Sequence, residues 1–372
     1  MLDVLIVSLG STHGLRRADE ELRDSLERAG ARTAIARAQA PPSTRTLMLT
    51  DLLWARAARA AATRALAQTP GARPPAIASH APAIVYSSTT AALLWPRPGA
   101  VRFDAAAAGN RPGRHGLWQR PLERRRFAQA PLLLPWSEGG LREACAGARE
   151  GARALVLPVP VAPSAPPREG GEDAAGAPQA SAKVPGRPDA ERDIAAITYA
   201  ANPVKKGLDR VLAAWRGVRA ELSLAGELVV AGITEERLRA WGGPTAMEGV
   251  RAVGALAPDD YRALVRRARV FVCAPRREDY GIAQLEALAD GCLLVTAPAP
   301  GPYAALPIAR ALDPRFVSAN LQEALRTALA DPRPDYALRA AEALRPFTRQ
   351  AVDRLVAEQV LPRLLGSARA RT

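Results

Sequence analysis

Long apolar runs are absent from this 372-residue sequence, and no run reaches the length of about 20 residues that spans a membrane. Cysteine is scarce, and Cys145, Cys273 and Cys292 have the spacing of neither a disulfide framework nor a metal site. No Asp-x-Asp pair is present, so we expect no bound metal. Because Met1 leads into an apolar strand without a basic stretch, we also expect no secretory signal and a cytoplasmic protein.

Aromatic residues are few, at 5%, whereas basic residues are in excess. The formal net charge is +14 and the isoelectric point is near 10.7. Such a charge favours anionic partners, namely nucleotide diphosphates, anionic lipid surfaces or nucleic acid. Because no recognisable nucleic-acid-binding module accompanies the basic residues, we do not expect a nucleic-acid partner.

The length is sufficient for two domains, each with its own core. Apolar strands alternate with amphipathic helices in both halves, a pattern typical of α/β folds with parallel sheets. The predicted elements include a helix from Arg16 to about Arg28, helices that Ser88 and Ser137 cap, a strand from Ala154 to Pro158 and a short strand near Ala311. Between the halves, Pro163 to Asp193 is dense in Pro, Gly, Ala and charge and has no apolar period, which indicates a flexible linker. The predicted divisions are an N-terminal domain 1–162, the linker 163–193, a C-terminal domain 194–347 and a last helical segment 348–372.

The most informative stretch runs from Arg269 to Thr296 and predicts a strand, a loop, a helix and a second strand. In such a crossover, ligands bind at the carboxyl ends of the strands, where Glu278 and Asp279 lie. Glu286 follows eight positions after Glu278, a separation that suits one elongated ligand held at two places. The ordinary interpretation is a helix-start acid followed by a solvated glutamate.

A resemblance favours the ligand-binding interpretation. Residues 278–291, EDYGIAQLEALADG, resemble the E-x7-E signature of retaining GT-B glycosyltransferases, specifically glycosyltransferase family 4. The resemblance implies an α/β fold of GT-B architecture, with two Rossmann-like domains facing a central cleft and a last helix that returns to the N-terminal domain. It also implies that Glu278 contacts the donor sugar, that Glu286 holds the ribose, and that Tyr280, Gly281 and Ile282 belong to the donor site.

Lys205 and Lys206 precede Gly207 and a predicted helix, where cations would meet a departing diphosphate. The alternative is a solvated lysine pair. This segment resembles the Lys-Gly element of the family, which implies that Lys206 binds the diphosphate. The sequence departs from the family six positions earlier, where Ala200 replaces a second diphosphate-binding arginine. Lys205, Arg276 or Arg277 would have to supply that charge.

In the first half, Gly10 and Gly14 flank a turn after the first strand, where backbone N–H groups can approach a ligand closely. By resemblance we assign both glycines to the donor site. His13 is either a sugar or acceptor contact or a solvent-facing loop residue. Asp104, at the end of a later strand, has the same two interpretations. The histidine with which the family contacts the sugar is absent from this strand end.

An arginine-rich segment follows, Gly109 to Arg126, in which basic residues are interleaved with aromatic and apolar ones. This composition suits an anionic membrane surface or an anionic acceptor. The alternative is an ordinary solvated face of an arginine-rich protein.

Together these features predict a retaining, metal-independent glycosyltransferase without a cofactor. It would move a hexose from a nucleotide-diphosphate sugar to a glycan, lipid or small-molecule hydroxyl, in the cytoplasm or peripherally at the inner face of the membrane. One alternative is a non-catalytic subunit that binds a nucleotide-sugar or stabilises a partner. Another is an epimerase of the same architecture, which the E-x7-E pattern disfavours.

Overall fold

Two five-stranded parallel sheets organise the chain in the computed structural model. The structure describes residues 2–68, 81–144, 153–164, 192–222, 226–243 and 247–369. Contacts divide the chain into two units: the first is Met1–Pro160, Gly301–Ala304 and Pro346–Thr372, and the second is Val161–Pro300 and Ala305–Arg345. Cys145 and most of the predicted linker lie outside the described residues.

The first unit has strand order β2-β1-β3-β4-β5. Its elements, in chain order, are β1 Val4–Ser8, α1 His13–Arg28, β2 Thr33–Arg37, α2 Leu47–Gln68, β3 Ala83–Tyr86, α3 Thr89–Leu93, β4 Ala100–Phe103, α4 Ala107–Asn110, a 3-10 turn Gly113–Gly116, α5 Gln119–Gln129, β5 Leu133–Pro135 and α6 Glu138–Glu143. Several helices begin where a hydroxyl caps the first turn. The side chains of Thr12, Ser88 and Ser137 accept hydrogen bonds from the backbone N–H groups of Leu15, Ala91 and Gly140.

The second unit has strand order β10-β9-β6-β7-β8. Its elements are β6 Ile194–Tyr199, α7 Pro203–Lys206, α8 Leu208–Leu222, β7 Leu228–Ala231, α9 Glu235–Gly242, β8 Val250–Gly254, α10 Pro258–Arg267, β9 Ala268–Cys273, α11 Ile282–Ala289, β10 Leu293–Thr296, α12 Ala305–Leu312, a 3-10 turn Pro314–Phe316, α13 Leu321–Ala330 and α14 Tyr336–Ala343. Cys273 and Cys292 are buried in this core, and burial raises the pKa of the Cys292 thiol to about 12.

The chain ends in a continuous helical segment, residues 349–369. Its parts are α15 Arg349–Leu355, a π-helical turn Val356–Val360 and α16 Leu361–Arg369. The segment belongs to the first unit and packs against α1 and β3. Asp353 accepts hydrogen bonds from both Ser25 and Arg28 of α1, at 2.7 and 2.7–2.8 Å. These bonds fix the last helix on the first one.

The first sheet has a core on each face, because side chains of a strand alternate between faces. Val4 and Ile6 join one cluster with α1 and the C-terminal helical segment. Leu5 and Val7 join the other, which contains residues of α2, α3 and α5. A parallel sheet covered by helices on both faces explains why these strands are apolar throughout. The predicted α/β class with two Rossmann-like domains is confirmed.

Three predicted elements differ from the structure. Residues 154–158 were expected to form a strand. They lie along β5, where the N–H groups of Leu155 and Leu157 donate to the carbonyls of Leu133 and Pro135 at 2.9 and 2.8 Å, but only Ala154 makes a regular bridge, to Leu133. The expected strand near Ala311 is instead part of α12, whose periodic apolar face is buried. Helix α1 begins at His13, three residues earlier than predicted, because Thr12 caps it. Gly14 therefore lies in the first turn of this helix and is not in the loop assigned to it.

Candidate functional site

The strand order of the second sheet reverses between β6 and β9, which are neighbours, so the segments that follow these two strands meet at one edge. Such a reversal is the point where open α/β sheets bind ligands. The contact is close. A Cβ on Gly207 would lie 1.9 Å from the carbonyl oxygen of Ala274, and the N–H of Arg276 donates to the carbonyl of Lys205 at 3.0 Å. Gly207, with φ +63°, is thus required by both space and backbone conformation.

Two lysine–carboxylate pairs join these segments. The ammonium Nζ of Lys206 lies 2.6 Å from Oε2 of Glu278, and that of Lys205 lies 3.1 Å from Oδ2 of Asp279. The Glu278 side chain is 8% exposed and that of Lys206 is 24% exposed, whereas half of Lys205 is exposed. The inner pair is therefore shielded from water and the outer pair is not. Lys206 and Glu278 are 72 positions apart in the sequence, and they meet because β6 and β9 are neighbours in the sheet.

Glu278 is held by further contacts. Its backbone N–H donates to the carbonyl of Pro300 at 3.1 Å, and its Oε2 accepts from Nε2 of Gln284 at 3.3 Å. Gln284 is 2% exposed, and its Oε1 has no hydrogen-bond partner among the described residues. Sequence reasoning missed Gln284; its place between the two glutamates of the motif, on the first turn of α11, was the available signal.

Glu286 lies in the middle of α11 and is 5% exposed. Its Oε1 is 3.2 Å from NH1 of Arg262 on α10, and Nε of the same arginine is 2.7 Å from Oδ2 of Asp290. Burial alone would lower the pKa of Arg262, but its bonds to Asp290 and Glu286 outweigh that effect and raise it. Two carboxylates thus share one guanidinium. Arg262 was not predicted, since nothing in the local sequence links α10 to α11.

The start of α11 lacks a capping side chain. Its N-cap, Gly281, has φ +92° and carries no side chain, so the first N–H groups of the helix have no side-chain cap. Tyr280 before it is buried, and Ile282 is half-buried as the first helical residue. An uncapped helix N-terminus favours a negatively charged ligand through its free N–H groups and the helix dipole.

The site residues predicted in the first unit lie at the carboxyl edge of its sheet. Gly10 has φ +59° and its carbonyl accepts from Arg16 NH1 at 2.8 Å. His13 is exposed as the first residue of α1. Asp104 follows β4, is half-buried, and accepts from the N–H of Ala105 at 2.8 Å. Gly14 is helical, as described above, so its N–H group belongs to the first turn of α1 and not to a loop, and its place in the donor site stays a prediction.

A buried polar cluster below this edge was not predicted. Asp19 of α1 accepts hydrogen bonds from Ser8 and Ser87, which end β1 and follow β3, where the strand order of the first sheet reverses. Burial raises the pKa of Asp19 to about 6 despite these bonds. Among the described residues no group of three or more His, Cys, Asp or Glu side chains is arranged to hold a metal. The same part of the chain holds no helix long and apolar enough to cross a membrane.

Comparison with known proteins gives a family match over part of the chain and a fold for the whole. Residues 192–331 match the family model described as glycosyl transferases group 1. No curated protein matches the sequence. Among solved structures, WaaG, a glycosyltransferase involved in lipopolysaccharide biosynthesis, is similar with a TM-score of 0.61 and 16% identity, over 99% of this chain and 98% of that one.

Two sugar-phosphate synthases are similar over the same extent. The α,α-trehalose 6-phosphate synthase of Burkholderia multivorans has a TM-score of 0.63 and 12% identity, over 100% of this chain and 99% of that one. The sucrose-phosphate synthase of Thermosynechococcus elongatus has a TM-score of 0.61 and 15% identity, over 99% and 100%. At these identities the likeness establishes the fold, which is that of the GT-B glycosyltransferases.

Proposed function

We propose, from a second unit that matches the group 1 glycosyltransferases and a chain with the GT-B fold, that this protein is a glycosyltransferase. The donor would be a nucleotide-diphosphate sugar and the acceptor a hydroxyl of a glycan, lipid or small molecule. The observation that carries the proposal is the shielded Lys206–Glu278 pair at the strand-order reversal, beside the uncapped start of α11.

Transfer from such a donor develops positive charge on the sugar and negative charge on the departing diphosphate. In the proposed arrangement Lys206 and the N–H groups at the start of α11 stabilise the diphosphate, and Glu278 contacts the sugar. Tyr280, Gly281 and Ile282 shape the same end of the site. Because an ammonium group already stands where the charge develops, we propose that no metal is required.

Glu286 would hold the ribose hydroxyls, with its carboxylate oriented by Arg262. For the second cation we favour Lys205 or Arg276 over Arg277. Lys205 and Arg276 are paired with Asp279 and Asp209, but both side chains are about half exposed and can turn towards a bound phosphate, whereas Arg277 is 21% exposed and paired with Asp279. Because Ala200 stands where the resembling family has its diphosphate-binding arginine, we expect the diphosphate to be bound less tightly than Lys206 and that arginine would bind it together.

We propose the retaining course that the E-x7-E resemblance implies. The bond between the anomeric carbon and the phosphate oxygen breaks, and the acceptor oxygen bonds to the same face of that carbon. The acceptor proton passes to the departing phosphate oxygen, so no side chain has to act as a strong base. For a hexose donor the products are the hexoside and the nucleoside diphosphate.

The first experiment is a thermal-shift screen against UDP, GDP, ADP and their common sugars, with magnesium and with a chelator. A ligand that binds the folded state raises the melting temperature with its excess over the dissociation constant. We expect one nucleotide to stabilise the protein equally under both conditions. Stabilisation only with magnesium would contradict metal independence, and no stabilisation by any nucleotide would contradict the donor site.

The role of Glu286 is tested by Glu286→Gln, with Glu236→Gln, an exposed glutamate of α9, as the control. Loss of the carboxylate weakens bonds to the ribose hydroxyls, so we expect donor affinity to fall about 10-fold or more, from about 1.5–3 kcal/mol for a hydrogen bond to a charged group. The control should bind normally. Unchanged affinity of Glu286→Gln for the nucleotide would remove Glu286 from the site.

A non-catalytic subunit is the second candidate, favoured by Ala200, which is 1% exposed and occupies the position where the family has its second arginine. Tight nucleotide-sugar binding without transfer or donor hydrolysis would support it. An epimerase would instead interconvert sugars in the absence of any acceptor. Analysis of the products formed from one donor, with and without an acceptor mixture, distinguishes the transferase, the non-catalytic subunit and the epimerase.

A further inference from the structure

One helical layer of the first unit has an unusual charge distribution. It consists of α2, α3, α4 and α5 with the 3-10 turn Gly113–Gly116, and we call it the basic layer. Contacts join α2 to α3 and to the 3-10 turn, and α5 to both α3 and α4. Residues of α2, α3 and α5 share the core cluster on one face of the sheet. The basic layer is thus one continuous surface of one unit.

The acids of the basic layer are turned inward. Asp51 and Glu123 are the acidic residues of its helices, and they are 5% and 4% exposed. Asp51 accepts hydrogen bonds from Arg111 and Gln119, and Glu123 accepts from the N–H of Ala107 at 3.0 Å. Within the described residues of these helices and the 3-10 turn, the outer surface of the layer therefore carries no acidic side chain.

The arginines of the layer retain their charge. Arg56, Arg64, Arg114, Arg124 and Arg125 are exposed. Others are held by neutral backbone carbonyls: Arg59 donates to Leu94, Arg126 to Leu93 and Arg120 to Gly113 and Gly116. Such bonds hold a guanidinium in place without neutralising it. The opposite face of the sheet differs, since α1 alone contains Asp19, Glu20, Glu21, Asp24 and Glu27.

Exposed leucines accompany the arginines at one end of the layer. Leu47 and Leu49, in the first turn of α2, are 48% and 45% exposed, and Leu117, next to the 3-10 turn, is 61% exposed. The hydrogen bonds from Arg111 and Gln119 to Asp51 hold these two segments together. Exposed apolar side chains among cations that no acidic side chain offsets are typical of proteins that bind a lipid surface peripherally.

We propose that the basic layer docks on an anionic lipid bilayer, with Leu47, Leu49 and Leu117 entering the headgroup region and the arginines contacting the lipid phosphates. A nucleic acid would use the cations but would gain nothing from leucines that point into water. A bilayer uses both, since each basic residue near an anionic surface adds about fivefold in affinity and each buried apolar group adds more. The proposal concerns the first unit and does not depend on the donor site.

The test is vesicle co-sedimentation of the full chain. The probes are vesicles of phosphatidylcholine with about 30% phosphatidylglycerol, chosen to give a negative surface potential, and vesicles of phosphatidylcholine alone. We expect binding to the anionic vesicles and at least tenfold weaker binding to the neutral ones. Equal binding to both, or binding to neither, would overturn the proposal.

Two variants test the two parts of the surface. Arg114→Gln/Arg124→Gln/Arg125→Gln should lower affinity for the anionic vesicles roughly 100-fold, from about fivefold for each arginine. Its control, Arg216→Gln/Arg237→Gln/Arg354→Gln, removes three exposed arginines outside the layer and should lower affinity far less. Equal losses in the two variants would mean that net charge, not this surface, determines binding.

Leu47→Ser/Leu49→Ser/Leu117→Ser should lower affinity for the same vesicles at least tenfold, because the inserted apolar area is lost. The control is Leu256→Ser/Leu338→Ser, two exposed leucines of the second unit. Far-ultraviolet circular dichroism confirms that each variant is folded. Either of two results would overturn the proposal. One is unchanged vesicle binding by the leucine variant. The other is that the wild type binds single-stranded RNA more tightly than the anionic vesicles and that the leucine variant retains this RNA binding.

Discussion

Replacement of Lys206 by Met is the sharpest test of the candidate site, because the neighbouring Lys205 provides a matched control. Lys206 is largely shielded and Lys205 is half exposed, although both are paired with a carboxylate of the same loop. A hydrogen bond between charged groups contributes about 1.5–3 kcal/mol. Removal of the Lys206 ammonium should therefore lower the affinity for the nucleoside diphosphate about 10- to 150-fold.

Lys205→Met should have a much smaller effect. Solvent-exposed ion pairs contribute about 0–1 kcal/mol, so we expect at most about a fivefold loss of affinity. The nucleoside without phosphates should bind equally to wild type and to both variants, because the lysines are assigned to the diphosphate alone. That comparison separates loss of a phosphate contact from a general distortion of the site.

Isothermal titration calorimetry well below the melting temperature is the suitable assay. Lys206→Met leaves the buried Glu278 carboxylate with Gln284 as its remaining side-chain donor among the described residues, so its melting temperature will also fall. A thermal shift would mix that loss with weaker binding. Equal affinity losses in the two lysine variants, or a loss for the nucleoside as large as for the diphosphate, would refute the assigned role.

Two further predictions concern the fold. Gly207→Ala should lower the free energy of unfolding, measured by urea titration, by more than about 3 kcal/mol, because its Cβ would meet the Ala274 carbonyl. The control Gly113→Ala, at φ +59° with open space around it, should lower that free energy by only about 1–2 kcal/mol. Similar losses in the two variants would contradict the close approach. Burial raises the pKa of Glu123 to about 7, so the folded state binds more protons than the unfolded state between about pH 4.5 and 7 and stability falls as pH rises there. Glu123→Gln should remove this penalty. Relative to the wild type, its free energy of unfolding should be up to about 3 kcal/mol more favourable at pH 8 than at pH 5. An unchanged pH dependence would show that Glu123 is not buried as described.

The sequence predicts local structure best where a capping side chain or an apolar period is present. Ser88 and Ser137 begin helices as expected, and the strand, loop and helix around Glu278 lie where the pattern indicates. The start of α1 was misplaced because Thr12, not Gly14, ends the turn. Residues 154–158 are apolar and follow β5 through backbone hydrogen bonds, but they form only one regular bridge and so fall short of a full strand.

For the site, the edge of the sheet was predictable and the partners were not. Parallel order places Glu278 and Lys206 at carboxyl ends, but only the adjacency of β6 and β9 makes them a pair. Arg262 contacts Glu286 between two helices, and Gln284 contacts Glu278 across a loop. An arginine or a glutamine in the sequence does not by itself indicate such a contact. The inward turn of Asp51 and Glu123 is likewise a matter of tertiary packing, and without it the basic layer would look like an ordinary mixed-charge surface.

The C-terminal helical segment has a consequence for how the chain is made. Val352, Val356 and Val360 share a core with Val4, Ile6 and residues of α1, so part of one face of the first sheet stays uncovered until this segment has been synthesised. The second unit is complete by Arg345 and can fold while synthesis continues. The unit that is started first is therefore finished last. In the interval the part of the strand face that this segment covers is exposed to solvent and to other nascent chains.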